Sequence, residues 1–140
     1  MSVAKNVLPV VAGAMGAMML ITLGETGIHK LYPLPLGVDI HNKEAISASI
    51  AALPVMAFVL LLLNYMVCSI AGGAISALVS GRTTKTPSII VGVLLTLAGA
   101  FNLLAVHHPL WFSLINFLVY FPCAYLGYFI TRQKAKVMGL

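Results

Sequence analysis

Charge is what this sequence has least of. Only 8% of its 140 residues are Asp, Glu, Lys or Arg, and just 3 of them are acidic. Water-soluble domains carry roughly 25% charged residues, so a chain this poor in charge cannot cover itself with a hydrated surface. Cysteine is scarce as well, with 2 residues. Cys68 and Cys123 stand alone with no C-x-x-C pair, which argues against a thiol-redox enzyme. No Gly-rich phosphate loop, His-Glu-x-x-His motif or Ser-His-Asp order is present. The basic residues are scattered over chain ends and loops, not gathered on one face, so nucleic acid is not an expected partner.

Apolar sequence is what the chain has in quantity. Hydrophobic residues make up 61% and the mean hydropathy is +1.04, too apolar for a soluble globule or a disordered chain. The lipid bilayer is the partner this composition demands. A helix crossing the hydrocarbon core needs about 20 apolar residues, and four stretches supply them, near 7–23, 54–79, 88–106 and 110–130. The expected fold is therefore all-α: one integral membrane domain over residues 1–140, built as a bundle of four transmembrane helices. The first stretch reads as a permanent helix. Its apolar run exceeds the usual ~7–15-residue core of a signal peptide, and no small-x-small cleavage site precedes Glu25.

Orientation follows from the Lys and Arg residues of the short loops. With the N-terminus inside, the cytoplasmic segments hold Lys5, Arg82, Lys85, Arg132, Lys134 and Lys136, against Lys30 and Lys43 on the other side. This predicts an inner (plasma) membrane protein with both termini in the cytoplasm. Trp111 and Tyr32 then fall near the outer interface, and Tyr125 and Tyr128 near the inner one. All the acids (Glu25, Asp39, Glu44) and all the histidines (His29, His41, His107, His108) sort to the outer side.

Between the first two spans, Tyr32-Pro33-Leu34-Pro35-Leu36-Gly37 favours an extended path, and Asp39 or Asn42 is placed to cap the next helix. From Asn42 to Gly81 the sequence is helix-compatible for about 55–60 Å, more than a ~30 Å core contains. A bend at Pro54 is expected, with Lys43–Leu53 lying along the outer interface. Thr86-Pro87 suits a helix start, and His107-His108-Pro109 a tight outer turn.

Glu25 and His29 are spaced i, i+4 and share one face of a continuing helix. Counting up the helices brings His107 and His108 to a similar level, so a carboxylate and imidazoles would form one outer layer. Such a set suits a divalent transition metal, or equally a proton-binding switch; an interfacial ion pair is the plain alternative. Asn64, Asn102 and Asn116 are amides inside spans, where an unpaired polar group costs several kcal/mol, so each should face protein or water. Together they could line a cavity open to the outer side. In the second span Asn64, Cys68, Gly72, Ser76 and Ser80 recur every fourth residue, beside a row at Gly73, Ala77 and Gly81. Small residues at this spacing let helices approach closely, which makes self-association or a partner subunit an expectation. The span interiors hold no acid and, beyond the first, no histidine. That argues against a deep carboxylate antiporter and a haem clamped between helices.

The Gly24-Glu25-x-x-x-His29-x-x-Tyr32-Pro33-x-Pro35 loop and the His108-Pro109-Leu110-Trp111-Phe112 turn resemble those of short four-span bacterial inner-membrane proteins. The resemblance is one of layout and implies no activity. Two functions follow from the residues themselves. One is a channel or transporter-like unit, or an accessory subunit, with a polar outward-facing vestibule at Glu25, His29, His107 and His108 that narrows toward Asn64, Asn102 and Asn116. The other is a membrane-embedded metal-binding protein or enzyme whose ligands are Glu25, His29, His107 and His108.

Overall fold

A computed structural model describes residues 3–81 and 84–139; Arg82, counted above among the basic residues of one end, lies outside them. The described residues form five helices and no strand: α1 (Val3–Leu31), α2 (Lys43–Ala51), α3 (Val55–Val79), α4 (Thr86–Ala105) and α5 (Leu110–Val137). Four of these, all but the short α2, contain segments long and apolar enough to cross a membrane. They run alternately up and down, α3 packing most extensively on α5 and α1. Their outward faces carry large apolar side chains such as Leu23, Leu104 and Leu118, each more than half exposed. A water-soluble monomer rarely shows so continuous an apolar surface, whereas lipid covers it without cost.

Local chemistry sets the breaks. The Asn42 side chain accepts hydrogen bonds from the Glu44 and Ala45 amides and so caps α2. Asp39 instead accepts from the His41 amide within the loop. Pro54 takes an extended backbone as N-cap of α3, separating it from α2, because its ring and missing N–H cannot continue the helix. Pro87 sits in the first turn of α4, where its missing N–H costs nothing.

The small-residue rows are consumed inside the bundle. A Cβ at Gly72 would meet Ala17 at 2.7 Å and the Gly13 carbonyl at 2.9 Å, so this row seats α1. A Cβ at Gly73 would fall on the Ala124 backbone, and one at Gly127 on the Ile70 carbonyl, so the second row seats α5. Ser88 Oγ donates to the Gly73 carbonyl at 2.9 Å and ties α4 to the same place. Gly81 departs from the packing expected of it. It has φ +69° with nothing within 4 Å of a Cβ, and it ends α3 as a left-handed turn residue. Ser80, half-buried, is the C-cap of that helix, its hydroxyl bonded to the Ala77 carbonyl at 2.9 Å.

The two ends of the bundle differ. Lys5 lies beside Ser80 and Gly81, and the alternating helices bring Lys85, Arg132, Lys134 and Lys136 to that same basic end. The opposite, loop end carries the 32–42 loop, α2 and the α4–α5 turn.

Candidate functional site: a polar cleft at the loop end

Toward the basic end, α1, α3 and α4 close around Gly13, Gly72 and Val91. Toward the loop end two aromatic rings replace those small groups. Tyr65 of α3 and Tyr120 of α5 pack with centroids 5.6 Å apart, and Gly99 of α4 lies directly against the Tyr120 ring. The rings stand between α1 and α4 and leave a cleft with Tyr65 and Tyr120 at its base.

Glu25 occupies the middle of this cleft. The first charged residue appeared to end the span near Leu23, but α1 continues unbroken to Leu31, and the apolar spanning segment is Val7–Leu31. Glu25 therefore lies inside a candidate span, about 9 Å from the helix end at 1.5 Å per residue. The helix thus runs eight residues past the boundary expected at Leu23. A helix boundary drawn at the first charge fails here because Glu25 has a partner: Tyr65 Oη donates to its Oε1 at 2.6 Å. That length is typical of a hydroxyl bonded to a carboxylate.

Two adjoining cavities, of about 190 and 160 Å³, share Glu25, Tyr65 and Asn102. The first runs toward the middle of the bundle between apolar walls of Met18, Ile21, Leu95 and Ala98. The second lies at the loop end, lined by His29 and His108 and by Ile50 and Leu53 from the α2 region. His108 reaches it because Val106 is extended (φ −135°, ψ 129°), ends α4, and turns the chain back toward the bundle. The ring stacks on Phe112 at 5.2 Å, and its Nδ1–H donates to the Val106 carbonyl at 2.7 Å. Burial pushes the His108 imidazole below its usual range, outweighing the Val106 bond and the Glu25 charge, which act the other way.

Of the residues expected to converge, Glu25, His29, His108 and Asn102 do so. His107 does not. It lies on the α2 side, its amide donating to Ser47 Oγ at 3.2 Å, and it lines a separate cavity with Lys43 and Glu44. Asn64 is not a vestibule residue either. Its amide donates to the Ile21 carbonyl at 3.2 Å, its Oδ1 accepts from Cys68, and it fills the space left by Gly24. It clamps α3 to α1 behind the cleft. Asn116 is buried at 1% exposure one turn before Tyr120, whose hydroxyl its amide contacts from behind, and its Oδ1 has no protein partner. Asp39 and His41 remain in the exposed loop. Among the described residues no three His, Cys, Asp or Glu side chains are placed to share a metal ion, so Glu25, His29, His107 and His108, the set given above as a possible divalent-metal site, are not gathered as one.

Tyr65 and Tyr120 are the site residues that sequence reasoning missed. Their signal was available: a tyrosine in the interior of a span brings a hydroxyl that must find a partner. Comparison with known proteins finds no matching family model, curated relative or solved structure. What the fold and cleft define is a class, a multi-helix bundle of membrane-spanning type with an acidic, aromatic-floored site near one end.

Proposed function

We propose that this chain is a small transporter-like unit of the inner (plasma) membrane, whose outward-facing cleft exchanges a proton for a cation at Glu25. The reading takes both termini as cytoplasmic, on the strength of the Lys and Arg residues at the basic end, and lays α2 along the outer interface. The observation that carries it is Glu25 itself: a single acid of the spans, held by a 2.6 Å bond from Tyr65 where two cavities meet. An ionisable group at this depth is expensive to keep unless it has a task. Tyr65 takes one of the carboxylate's four or so acceptor positions, leaving capacity for a proton or a cation. Tight packing of Gly13, Gly72 and Val91 below the cleft favours a binding site that alternates in access over an open pore.

The test is proton movement in proteoliposomes containing a pH-sensitive dye, with Na⁺, K⁺, methylammonium or tetraethylammonium added outside. Cation-driven proton movement is expected with the unaltered protein and with His107→Gln, whose side chain faces another cavity. With Glu25→Gln it should fall at least about tenfold, the loss of roughly 1.4 kcal/mol or more of charge-dependent interaction. Equal rates with Glu25→Gln, or no movement with any of these cations in folded protein, would overturn the proposal.

A further inference from the structure

The cleft does not open only at the loop end. Met18, Thr22, Ala98 and Asn102, which border it on α1 and α4, are all exposed on the bundle surface. In the membrane placement proposed above, that surface faces lipid and the gap between α1 and α4 opens sideways into one leaflet.

Both halves of the cleft mix polar and apolar groups, with Ile50, Leu53 and Leu61 at the loop end and Thr22 and Tyr120 deeper. The loop-end half also presents Glu25, Asn102, His29 and His108, and the deeper half Met18, Ile21, Leu95 and Ala98. Leu95 lies ten residues before the end of α4, about 15 Å down the helix axis, near the middle of a ~30 Å core. The charged Glu25 thus has apolar side chains within the same cavity, Met18, Ile21, Leu95 and Ala98, which an amphiphile bound by its head could contact with its first carbons. No Lys or Arg lines either cavity, and the one formal charge is the Glu25 carboxylate. A phosphate or carboxylate head would meet repulsion and no counter-charge, whereas an ammonium head meets a carboxylate in a cavity bordered by two tyrosines.

We infer that the ligand of this cleft is a lipid-borne amine, a cationic ammonium head on an apolar chain, entering sideways between α1 and α4. The inference rests on the Glu25-centred binding site proposed above and adds the class of its ligand and the route of access. Cavities of about 190 and 160 Å³ accommodate the head and the first carbons. The rest of the chain stays in the bilayer through the side opening.

The experiment uses the full chain in phosphatidylcholine liposomes with a dodecylamine carrying a photoreactive diazirine on its chain, and maps the labelled residues by mass spectrometry. Label is expected on Met18, Ile21, Leu95 or Ala98, competed by plain dodecylamine but not by dodecanoate or methylammonium at the same concentration. It should drop at least about tenfold in Glu25→Gln, as loss of a charge-assisted contact implies. Ala98→Trp, which adds bulk on the α4 side of the opening and leaves the Glu25 carboxylate in the chain, should reduce it as well. Label spread evenly over the lipid-facing helices, label unchanged in Glu25→Gln, or equal competition by methylammonium would overturn the inference. Glu25-dependent label without cation-driven proton movement would support this ligand and remove the transport reading. Proton movement with methylammonium and no label on the α1–α4 wall would do the reverse.

Discussion

His108 shows how a single side chain acquires its properties from where the chain turns. Helical spacing alone sets it apart from Asn102, since a continuing helix would rotate the two onto different faces. The helix does not continue, and Val106 redirects the ring against Phe112 and into the cleft. Burial there disfavours the imidazolium. The unfolded chain therefore binds a proton at a higher pH than the folded one does, and stability rises with pH across that interval. Acidifying the protein in detergent from pH 8 through the ordinary imidazole range should lower its melting temperature. His108→Phe, which keeps the stack on Phe112, should remove part of that dependence; an unchanged pH profile would show that His108 does not titrate as its burial requires. Glu25 and His29 were legible as neighbours from their i, i+4 spacing. The partner that holds the carboxylate, Tyr65, comes from forty residues away; its buried hydroxyl called for a partner, but no spacing in the sequence pairs it with Glu25.

At the scale of the helices, composition and breakers did most of the placing. Pro54, Pro87 and Asn42 mark the starts of α3, α4 and α2 where elementary backbone chemistry puts them. Helix ends were less legible where charge intervenes: α1 runs on through Glu25 and Lys30, and α5 continues past Ile130 with Lys134 and Lys136 in its last turn. Basic residues there are favourable near the helix C-terminus. The rows of small residues predicted close packing correctly, but their partners are the chain's own α1 and α5, so they give no ground for self-association. Gly73→Val or Gly127→Val should therefore destabilise the bundle by about 3 kcal/mol or more, since the clash is with backbone. The unfolding midpoint in a mixed-micelle denaturant titration reads this directly. Gly27→Ala, on the exposed side of α1 with nothing within 4 Å, should be neutral or stabilising by about 0.5–1 kcal/mol. Comparable losses at Gly27 and Gly73 would contradict the interface described here.

For the whole molecule, the separation of a basic end from a loop end is what the proposed orientation rests on, and with it the side on which the cleft would open. A membrane-impermeant maleimide should label Asp39→Cys in intact cells. It should label Lys5→Cys and Lys134→Cys only after permeabilisation. The opposite pattern would turn the cleft toward the cytoplasm and reverse the direction of exchange.

The sequence by itself determined that the chain is all-α, that it holds four long apolar helices and where α2, α3 and α4 begin, because hydrophobic length, proline and capping act within a few residues of one another. Only the tertiary structure decided which polar groups share a cavity. Asn64 and Asn116 lie in spans just as Asn102 does, yet one clamps two helices, one backs a tyrosine, and only the third lines the cleft. That difference depends on the rotation of each helix about its axis. Contacts such as Gly73 on Ala124 and Gly99 on Tyr120 set that rotation, and they join residues far apart in the chain.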